Sequence, residues 1–182
     1  DFGWIKGHIP VGPPAFLTDV TSAYAVLGVM GPRSRDLLSG LADADLSNEA
    51  FPYMTSREID IAYAPVRATR ITYVGELGWE LYIPVEFATR VYDAVVDGGE
   101  SYGLRHAGFH AMDSLRIEKA YRGWGHDIVD LDTPIEAGLG FAVAMEKAGG
   151  FLGREALGGV KKRVLTRRLV GFALEDPEPP GG

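Results

Sequence analysis

One carboxylate stands among aromatic and β-branched residues in two short segments that are typical of a β-hairpin. The predicted strands are residues 69–74 and 79–83, and the glycine-bounded residues 75–78 form the predicted loop. With this loop, Tyr73 pairs with Glu80 across the strands, with their Cβ atoms about 5 Å apart. The sequence therefore predicts that a phenol and a carboxylate lie side by side.

The face that carries Glu80 is predicted to be largely apolar and aromatic. Ile71 and Tyr82 share it, because alternate residues of a strand point to one side. Two interpretations stay open. Glu80 either lies at a hydrated hairpin edge or is a carboxylate in an aromatic pocket, where it accepts hydrogen bonds from a flat, amide-like ligand.

Two other stretches have residues that could do chemistry, and both are weaker candidates. His126 and Asp127 are adjacent in a glycine-punctuated loop, where neighbours rarely face one another, and no set of three or four convergent ligands accompanies them. No metal site is predicted. The passage from strand to helix at residues 31–35 could bind an anion at the helix N-terminus, although such a turn is more often only a turn.

Composition narrows the class of protein. The 182 residues are 46% hydrophobic and 24% charged, with a net charge of −7, which gives no footprint for nucleic acid or an anionic membrane. The basic residues 161–168 are interrupted by apolar ones and are typical of a solvated strand or linker. Because there is no cysteine, disulfides, thiol nucleophiles and cysteine-bound metal are excluded. No apolar run is long enough to span a membrane.

Hydrophobic periodicity predicts helices and strands that alternate irregularly along the chain. The apolar run at residues 24–30 predicts a strand buried on both faces. The predicted helices are residues 1–8, 33–41, 84–97, 107–121 and a short one after 149, and further strands are predicted at 59–66, 138–144 and 163–174. These elements predict an α+β fold, with helices packed on a mostly antiparallel sheet.

A boundary is predicted near residue 158. Residues 1–157 are expected to form one domain, and residues 158–182 a linker and a strand that opens a further unit. Because the chain lacks an initiator methionine and ends in a turn-like segment, it is expected to be a fragment, truncated within both domains.

Four motifs occur in one order along the chain. They are Asp19-Val-Thr-Ser-Ala-Tyr-Ala-Val-Leu-Gly-Val-Met-Gly-Pro-Arg-Ser-Arg35, Tyr73-Val-Gly-Glu-Leu-Gly-Trp-Glu-Leu81, Asp113-Ser-Leu-Arg-Ile-Glu118 and Gly149-Gly-Phe-Leu-Gly-Arg-Glu-Ala156. Together they resemble the folate-binding aminomethyltransferase family, the T-protein of the glycine cleavage system. Residues 118–128 are most similar to the branch formed by the C-terminal half of flavin-dependent sarcosine and dimethylglycine dehydrogenases.

The resemblance implies a set of folate-binding residues. Tyr73 corresponds to the motif tyrosine that lines the pterin pocket, and Glu80 to the carboxylate that binds the pterin ring. Arg116 corresponds to an arginine near the folate, which either pairs with the folate's glutamate carboxylates or holds the site together. Phe141 occupies the position of an aromatic near the ring.

The resemblance also implies what these residues do not supply. The family's catalytic aspartate and the flavin domain with its FAD lie upstream of the matched part, so no catalytic residue is assigned. The resemblance implies that a β-rich C-terminal barrel domain follows, of which residues 158–182 hold only the linker and the first strand. Some relatives are tRNA-modifying folate proteins marked by a cysteine before the Gly-Arg-Glu turn, and its absence here argues against that branch.

The implied activity is transfer of a one-carbon, aminomethyl or methylene, group to tetrahydrofolate from a small methylated amine or aminomethyl donor. Remaining domains of a longer polypeptide are the expected partners. Three alternatives remain: a free-standing aminomethyltransferase, a module that only binds folate, and a scaffold with a vestigial pocket. The expected location is the cytoplasm, or the mitochondrial matrix in a eukaryote.

Overall fold

The computed structural model describes residues 1–10, 12, 15–173 and 175. The chain forms two compact units, Asp1–Gly108 and Phe109–Gly182, and each is described by itself. The first contains α1 (Phe2–His8), β1 (Tyr24–Met30), α2 (Ser34–Ser39), β2 (Ser56–Ile61), β3 (Ala64–Thr69), β4 (Gly78–Pro84) and α3 (Ala88–Gly99). The second contains α4 (Phe109–Glu118) and α5 (Arg154–Lys161).

The first unit is built on one antiparallel sheet with the strand order β1-β4-β3-β2. Helices α2 and α3 pack on one face of it. This arrangement of helices on an antiparallel sheet confirms the α+β class predicted from the sequence.

The core lies between the sheet and these two helices. In β4 the alternate residues Trp79, Leu81 and Ile83 are fully buried, whereas the residues between them are only half-buried. Val91 and Val95, four residues apart in α3, pack against the same cluster because that spacing places both on one side of a helix. Alternation along β4 therefore separates a packed face from an open one.

The prediction that residues 24–30 are buried on both faces was wrong. Exposure alternates along β1, and Tyr24 and Val26 remain 39% and 52% exposed. Val29 points to the packed face and is buried. An apolar run does not indicate which face of a strand is covered, so the continuous hydrophobicity of residues 24–30 did not predict their burial correctly.

The predicted strand at residues 59–66 is instead a hairpin. Strands β2 and β3 pair from Ser56↔Thr69 to Ile61↔Ala64, and two residues connect them. These are Ala62 and Tyr63, at φ angles of 51° and 63°. Positive φ at both positions is the geometry of a tight hairpin turn, which glycine or asparagine usually occupies.

The predicted hairpin of residues 69–74 and 79–83 has a different register. β3 ends at Thr69, and Thr69 pairs with Glu80, so the predicted pairing of Tyr73 with Glu80 was wrong. Residues 70–77 form a loop held by distant groups. Arg70 Nη1 donates to Phe51 O at 2.7 Å, and Ser34 Oγ donates to Leu77 O at 3.0 Å.

The second unit has little regular structure. The predicted helix at 107–121 is the shorter α4, and the predicted strand at 138–144 contains only a 3₁₀ turn, Gly140–Ala142. Residues 158–161, predicted as a linker, continue α5, and no strand forms within the described residues 163–173. Leu174 lies outside the described residues. The assignment of residues 158–182 to a further domain stays a prediction.

Among the described residues, no helix is both long and apolar enough to cross a membrane.

Candidate functional site

The open face of the sheet presents its side chains in rows across the strands. One row runs Gly28, Glu80, Thr69, Ser56, as fixed by the pairing of Gly28 with Glu80, Glu80 with Thr69, and Thr69 with Ser56. The hydroxyls of Ser56 and Thr69 are hydrogen-bonded at 2.9 Å. Glu80 is the single carboxylate of this row, and it lies in an inner strand rather than at a hydrated edge.

Glu80 has a neutral hydrogen-bond partner. The Tyr82 hydroxyl donates to Glu80 Oε2 at 2.8 Å, because residues two apart in β4 point to the same side. This hydrogen bond, together with burial and the Glu80 charge, raises the pKa of Tyr82. A tyrosine is protonated at neutral pH even without such a shift, so the phenol is a donor there. No described cation forms an ion pair with Glu80.

The next row contains a guanidinium. Arg67 is the cross-strand neighbour of Tyr82, and its Nε donates to Glu58 Oε1 at 2.7 Å. That hydrogen bond and the Glu58 charge raise the pKa of Arg67. The Arg67 guanidinium therefore pairs with Glu58 in β2 and does not neutralise the charge of Glu80.

On the β1 side of Glu80, Gly28 is exposed and the Met30 side chain lies beside it. Gly28 lies opposite Glu80, and a Cβ there would project over the same face and meet Met30 Cε at 3.4 Å. With no side chain at this position, a flat group could lie over the strand and reach the carboxylate. Tyr24 and Val26 continue the exposed apolar surface along β1.

Tyr73 lies in the 70–77 loop and is half-buried. The structure places it outside both strands, so it does not share the row of Glu80. In the same loop, the Thr72 hydroxyl accepts a hydrogen bond from Val74 N at 3.2 Å, which turns the chain locally. The assignment of Tyr73 to a ligand pocket stays a prediction.

Arg116, in the second unit, is enclosed by protein acceptors. It is 3% exposed, and its guanidinium bonds Asp113 Oδ1 through Nε at 2.7 Å and through Nη2 at 2.5 Å. Nη1 donates to Tyr121 O at 3.0 Å and also contacts Asp127 Oδ2. Burial opposes the charge, but the two carboxylates outweigh it and raise the pKa of Arg116.

This cluster fixes the loop that follows α4. Asp127 Oδ2 also accepts a hydrogen bond from Gly123 N at 2.8 Å, and Gly123 packs directly on the guanidinium. Burial of Asp127 opposes ionisation, but the bonds from Gly123 and Arg116 lower its pKa. Asp127 is thus engaged by Arg116 and Gly123, which leaves it poorly suited to act as a base with His126.

Phe141 lies in the 3₁₀ turn of the second unit and is 87% exposed. A surface depression of about 720 Å³ is lined nearby by mostly apolar residues, among them Gly140, Val143 and Met145. It has few convergent polar groups, so it lacks the features of a specific binding site. Among the described residues, no three or more histidine or acidic side chains converge as metal ligands.

The structure thus groups the four predicted residues unevenly. Glu80 and Tyr73 belong to the first unit, in a strand and the adjoining loop, and Arg116 and Phe141 belong to the second. Tyr82, which directly contacts Glu80, was placed on the correct face by strand alternation but was not assigned to the site. The signal was its separation of two residues from Glu80.

The chain matches one protein family and is similar to known proteins. Residues 1–147 match the family described as the GCVT N-terminal domain. The chain is 46% identical over 172 residues to 4-methylaminobutanoate oxidase (formaldehyde-forming) of Paenarthrobacter nicotinovorans, covering 94% of this chain and 21% of that protein. It is 47% identical over 163 residues to mitochondrial sarcosine dehydrogenase of Homo sapiens, covering 90% and 18%.

A solved structure supports the fold. The glycine cleavage system aminomethyltransferase T of Bartonella henselae matches with a TM-score of 0.62 and 31% identity, over 76% of this chain and 37% of that one. The chain spans about a fifth of the length of the two oxidative relatives.

Proposed function

This chain belongs to the GCVT N-terminal domain family, and we propose that it is the tetrahydrofolate-binding part of a one-carbon transfer enzyme. The observation that supports this most directly is the Glu80 carboxylate. It lies on an open sheet face, is held by one neutral donor and has no described counter-ion. A carboxylate of this kind suits a ligand that presents paired N–H groups.

The chemistry of the donor set fits a reduced pterin. Its aminopyrimidine edge presents two adjacent N–H donors, and an ionised carboxylate accepts two such bonds in parallel. Gly28 leaves the approach to Glu80 open, and the apolar surface of Tyr24 and Val26 suits a flat ring. Tetrahydrofolate, when bound, supplies amine nitrogens that accept a one-carbon unit.

The chain's own residues would bind and orient this group. Glu80 would hold the pterin edge, and Tyr73 would line the pocket from the adjoining loop. For Arg116 we propose the second of its two roles, that of holding its own unit together, because its guanidinium makes four contacts with three protein acceptors. Phe141 is exposed and free to contact a ring, and its role stays a prediction.

The parent activity that we propose is oxidation of a small methylated amine with capture of the released one-carbon unit, as in sarcosine or dimethylglycine dehydrogenases. The relatives that oxidise such amines favour this over a free-standing aminomethyltransferase. In this account FAD belongs to another domain of the parent polypeptide. A cytoplasmic location, or the mitochondrial matrix in a eukaryote, stays a prediction.

A vestigial scaffold remains the second candidate. In that case we would expect the chain's own side chains to fill the face around Glu80. Among the described residues, Glu80 and Tyr82 are only half-buried, and Val26 is 52% exposed. The open face therefore favours a binding role.

The proposal is tested by titrating the full chain with tetrahydrofolate in a calorimeter, with oxygen excluded. We expect saturable binding that Glu80→Gln weakens by about 10- to 100-fold, because an amide replaces one acceptor oxygen with a donor. Glu86→Gln is the matched control, since Glu86 is exposed and lies in the 3₁₀ turn that leads into α3.

Either of two results would contradict the proposal. If the unsubstituted chain shows no saturable binding, folate binding by this chain is wrong. If binding is saturable but Glu80→Gln and Glu86→Gln bind equally well, the assignment of the carboxylate is wrong.

A further inference from the structure

The contact between Tyr82 and Glu80 lies at the centre of the open sheet face. Both side chains are half-buried on β4, an inner strand, and the Tyr82 hydroxyl donates to Glu80 Oε2 at 2.8 Å. A glutamate has three side-chain torsions, so an isolated carboxylate on an open face can adopt several orientations. The hydrogen bond from Tyr82 selects one of them.

Because the Tyr82 phenol is neutral and donates a single hydrogen bond, most acceptor sites of the Glu80 carboxylate stay available. A carboxylate has about four lone-pair sites, and a single phenol hydrogen bond occupies one of them. Within the described residues, no further donor reaches Glu80, so Oε1 stays available. An arginine in the same place would take both oxygens and neutralise the charge, whereas a neutral phenol orients the group without doing either.

The neighbours on each side preserve this arrangement. Across from Tyr82 are Val26 in β1, which has no polar group, and Arg67 in β3, whose guanidinium bonds Glu58. Hydrogen bonding to Glu80 raises the pKa of Tyr82, and a tyrosine keeps its proton through the neutral range in any case. The phenol therefore donates to Glu80 rather than ionising or pairing elsewhere.

We propose that Tyr82 is a positioning residue, whose hydroxyl fixes the Glu80 carboxylate in the orientation that accepts the ligand's paired N–H groups. This inference rests on the proposed function, because it concerns the same carboxylate. Tyr82 acts through Glu80. Its hydroxyl reduces the orientational freedom that the carboxylate would otherwise lose on binding.

The first test needs no ligand. Labelling tyrosine Cζ with ¹³C allows the phenols to be titrated by NMR, and the Tyr82 signal is assigned by its loss in Tyr82→Phe. We expect the Tyr82 pKa to lie above the ordinary tyrosine value and to fall toward it in Glu80→Gln. If Tyr82 titrates identically with and without the Glu80 carboxylate, the hydrogen bond does not exist in solution and the inference is overturned.

The second test is a double-mutant cycle on tetrahydrofolate binding by the full chain. We expect Tyr82→Phe to weaken binding about tenfold, and to weaken it less than about twofold when Glu80 is already glutamine. Tyr63→Phe is the matched control. It removes a hydroxyl from the same unit, in the β2–β3 turn where Tyr63 is 90% exposed, and we expect affinity within about twofold of the unsubstituted chain.

The outcomes separate this inference from the proposed function. If the unsubstituted chain shows no saturable binding, the proposed function fails. If binding is saturable but Glu80→Gln leaves affinity unchanged, the carboxylate assignment is wrong and the positioning role of Tyr82 is overturned with it. If Glu80→Gln weakens binding but Tyr82→Phe does not, the carboxylate binds the ligand and the positioning role of Tyr82 is overturned. If Tyr82→Phe weakens binding equally in both backgrounds, Tyr82 acts independently of Glu80 and the inference is again wrong.

Discussion

Glu80 and Arg116, two of the residues predicted to bind folate, have contrasting surroundings. Glu80 accepts one hydrogen bond from a neutral phenol, whereas the Arg116 guanidinium is enclosed by Asp113, Asp127 and a backbone carbonyl. A buried guanidinium engaged in this way could bind an external carboxylate only by breaking bonds that already stabilise it. On this contrast we propose ligand chemistry for Glu80 and a structural role for Arg116.

Arg116→Lys tests that structural role. Lysine keeps the charge but cannot bond Asp113, Asp127 and the Tyr121 carbonyl together, so we expect the second unit to lose stability. Thermal unfolding should show a midpoint lower by on the order of 5–10 °C. Arg154→Lys is the control, since Arg154 lies in the same unit and makes only a 3.8 Å ion pair with Glu146.

A measurement of ligand affinity can contradict the structural role proposed for Arg116. If Arg116→Lys unfolds at the same temperature as the unsubstituted chain but binds tetrahydrofolate much more weakly, then Arg116 contacts the ligand. The structural assignment would then be wrong.

Local sequence pattern correctly predicted the elements in which apolar residues recur at a regular spacing. The strand at residues 24–30 coincides with β1, and the apolar stripe of the 84–97 helix contains Val91 and Val95, which are buried in α3. Alternation also placed Tyr82 on the face of Glu80. These features depend on residues that are close in sequence, where the pattern is readable.

The errors arose where distant contacts decide the backbone path. Residues 70–74 have strand-like composition, but Arg70 N donates to Thr55 O, and Arg70 Nη2 donates to Asn48 Oδ1. The backbone bond continues the register of the β2–β3 pairing by one residue, and the chain leaves the sheet after Arg70. No local pattern predicts the distant side-chain contact. The β2–β3 turn was missed because Ala62 and Tyr63 are not typical turn residues.

The turn at Ala62 and Tyr63 leads to a prediction about the free energy of unfolding. Ala62 has a φ of 51°, which is unfavourable for a residue with a Cβ, so Ala62→Gly should raise the free energy of unfolding by about 0.5–1 kcal/mol. Gly103→Ala is the reverse case. Gly103 has a φ of 73° and open space around its Cβ position, so we expect a loss of about 1 kcal/mol from backbone strain alone.

Urea unfolding of both variants checks this. We expect Gly103→Ala to destabilise the chain. If Ala62→Gly destabilises it as well, Ala62 does not have a left-handed backbone conformation.

At the scale of the whole molecule, apolar burial is concentrated in the first unit. Its cluster joins all four strands to α2 and α3, whereas Ala137 is the single buried hydrophobic residue among those described in the second unit. The cluster that holds the 119–128 loop is polar and is centred on Arg116. The proposed pterin site therefore rests on the more extensively packed unit, which suits a site that must hold its geometry.

We propose that tetrahydrofolate binds on the open face of the sheet at Glu80. The most direct test of this proposal is an NMR titration of the isotopically labelled full chain with tetrahydrofolate, which follows the backbone amides residue by residue. We predict that the largest saturable shifts occur at Gly28, Thr69 and Glu80, the three adjacent residues of one row. Saturable shifts concentrated elsewhere, with these three amides unmoved, would contradict the account.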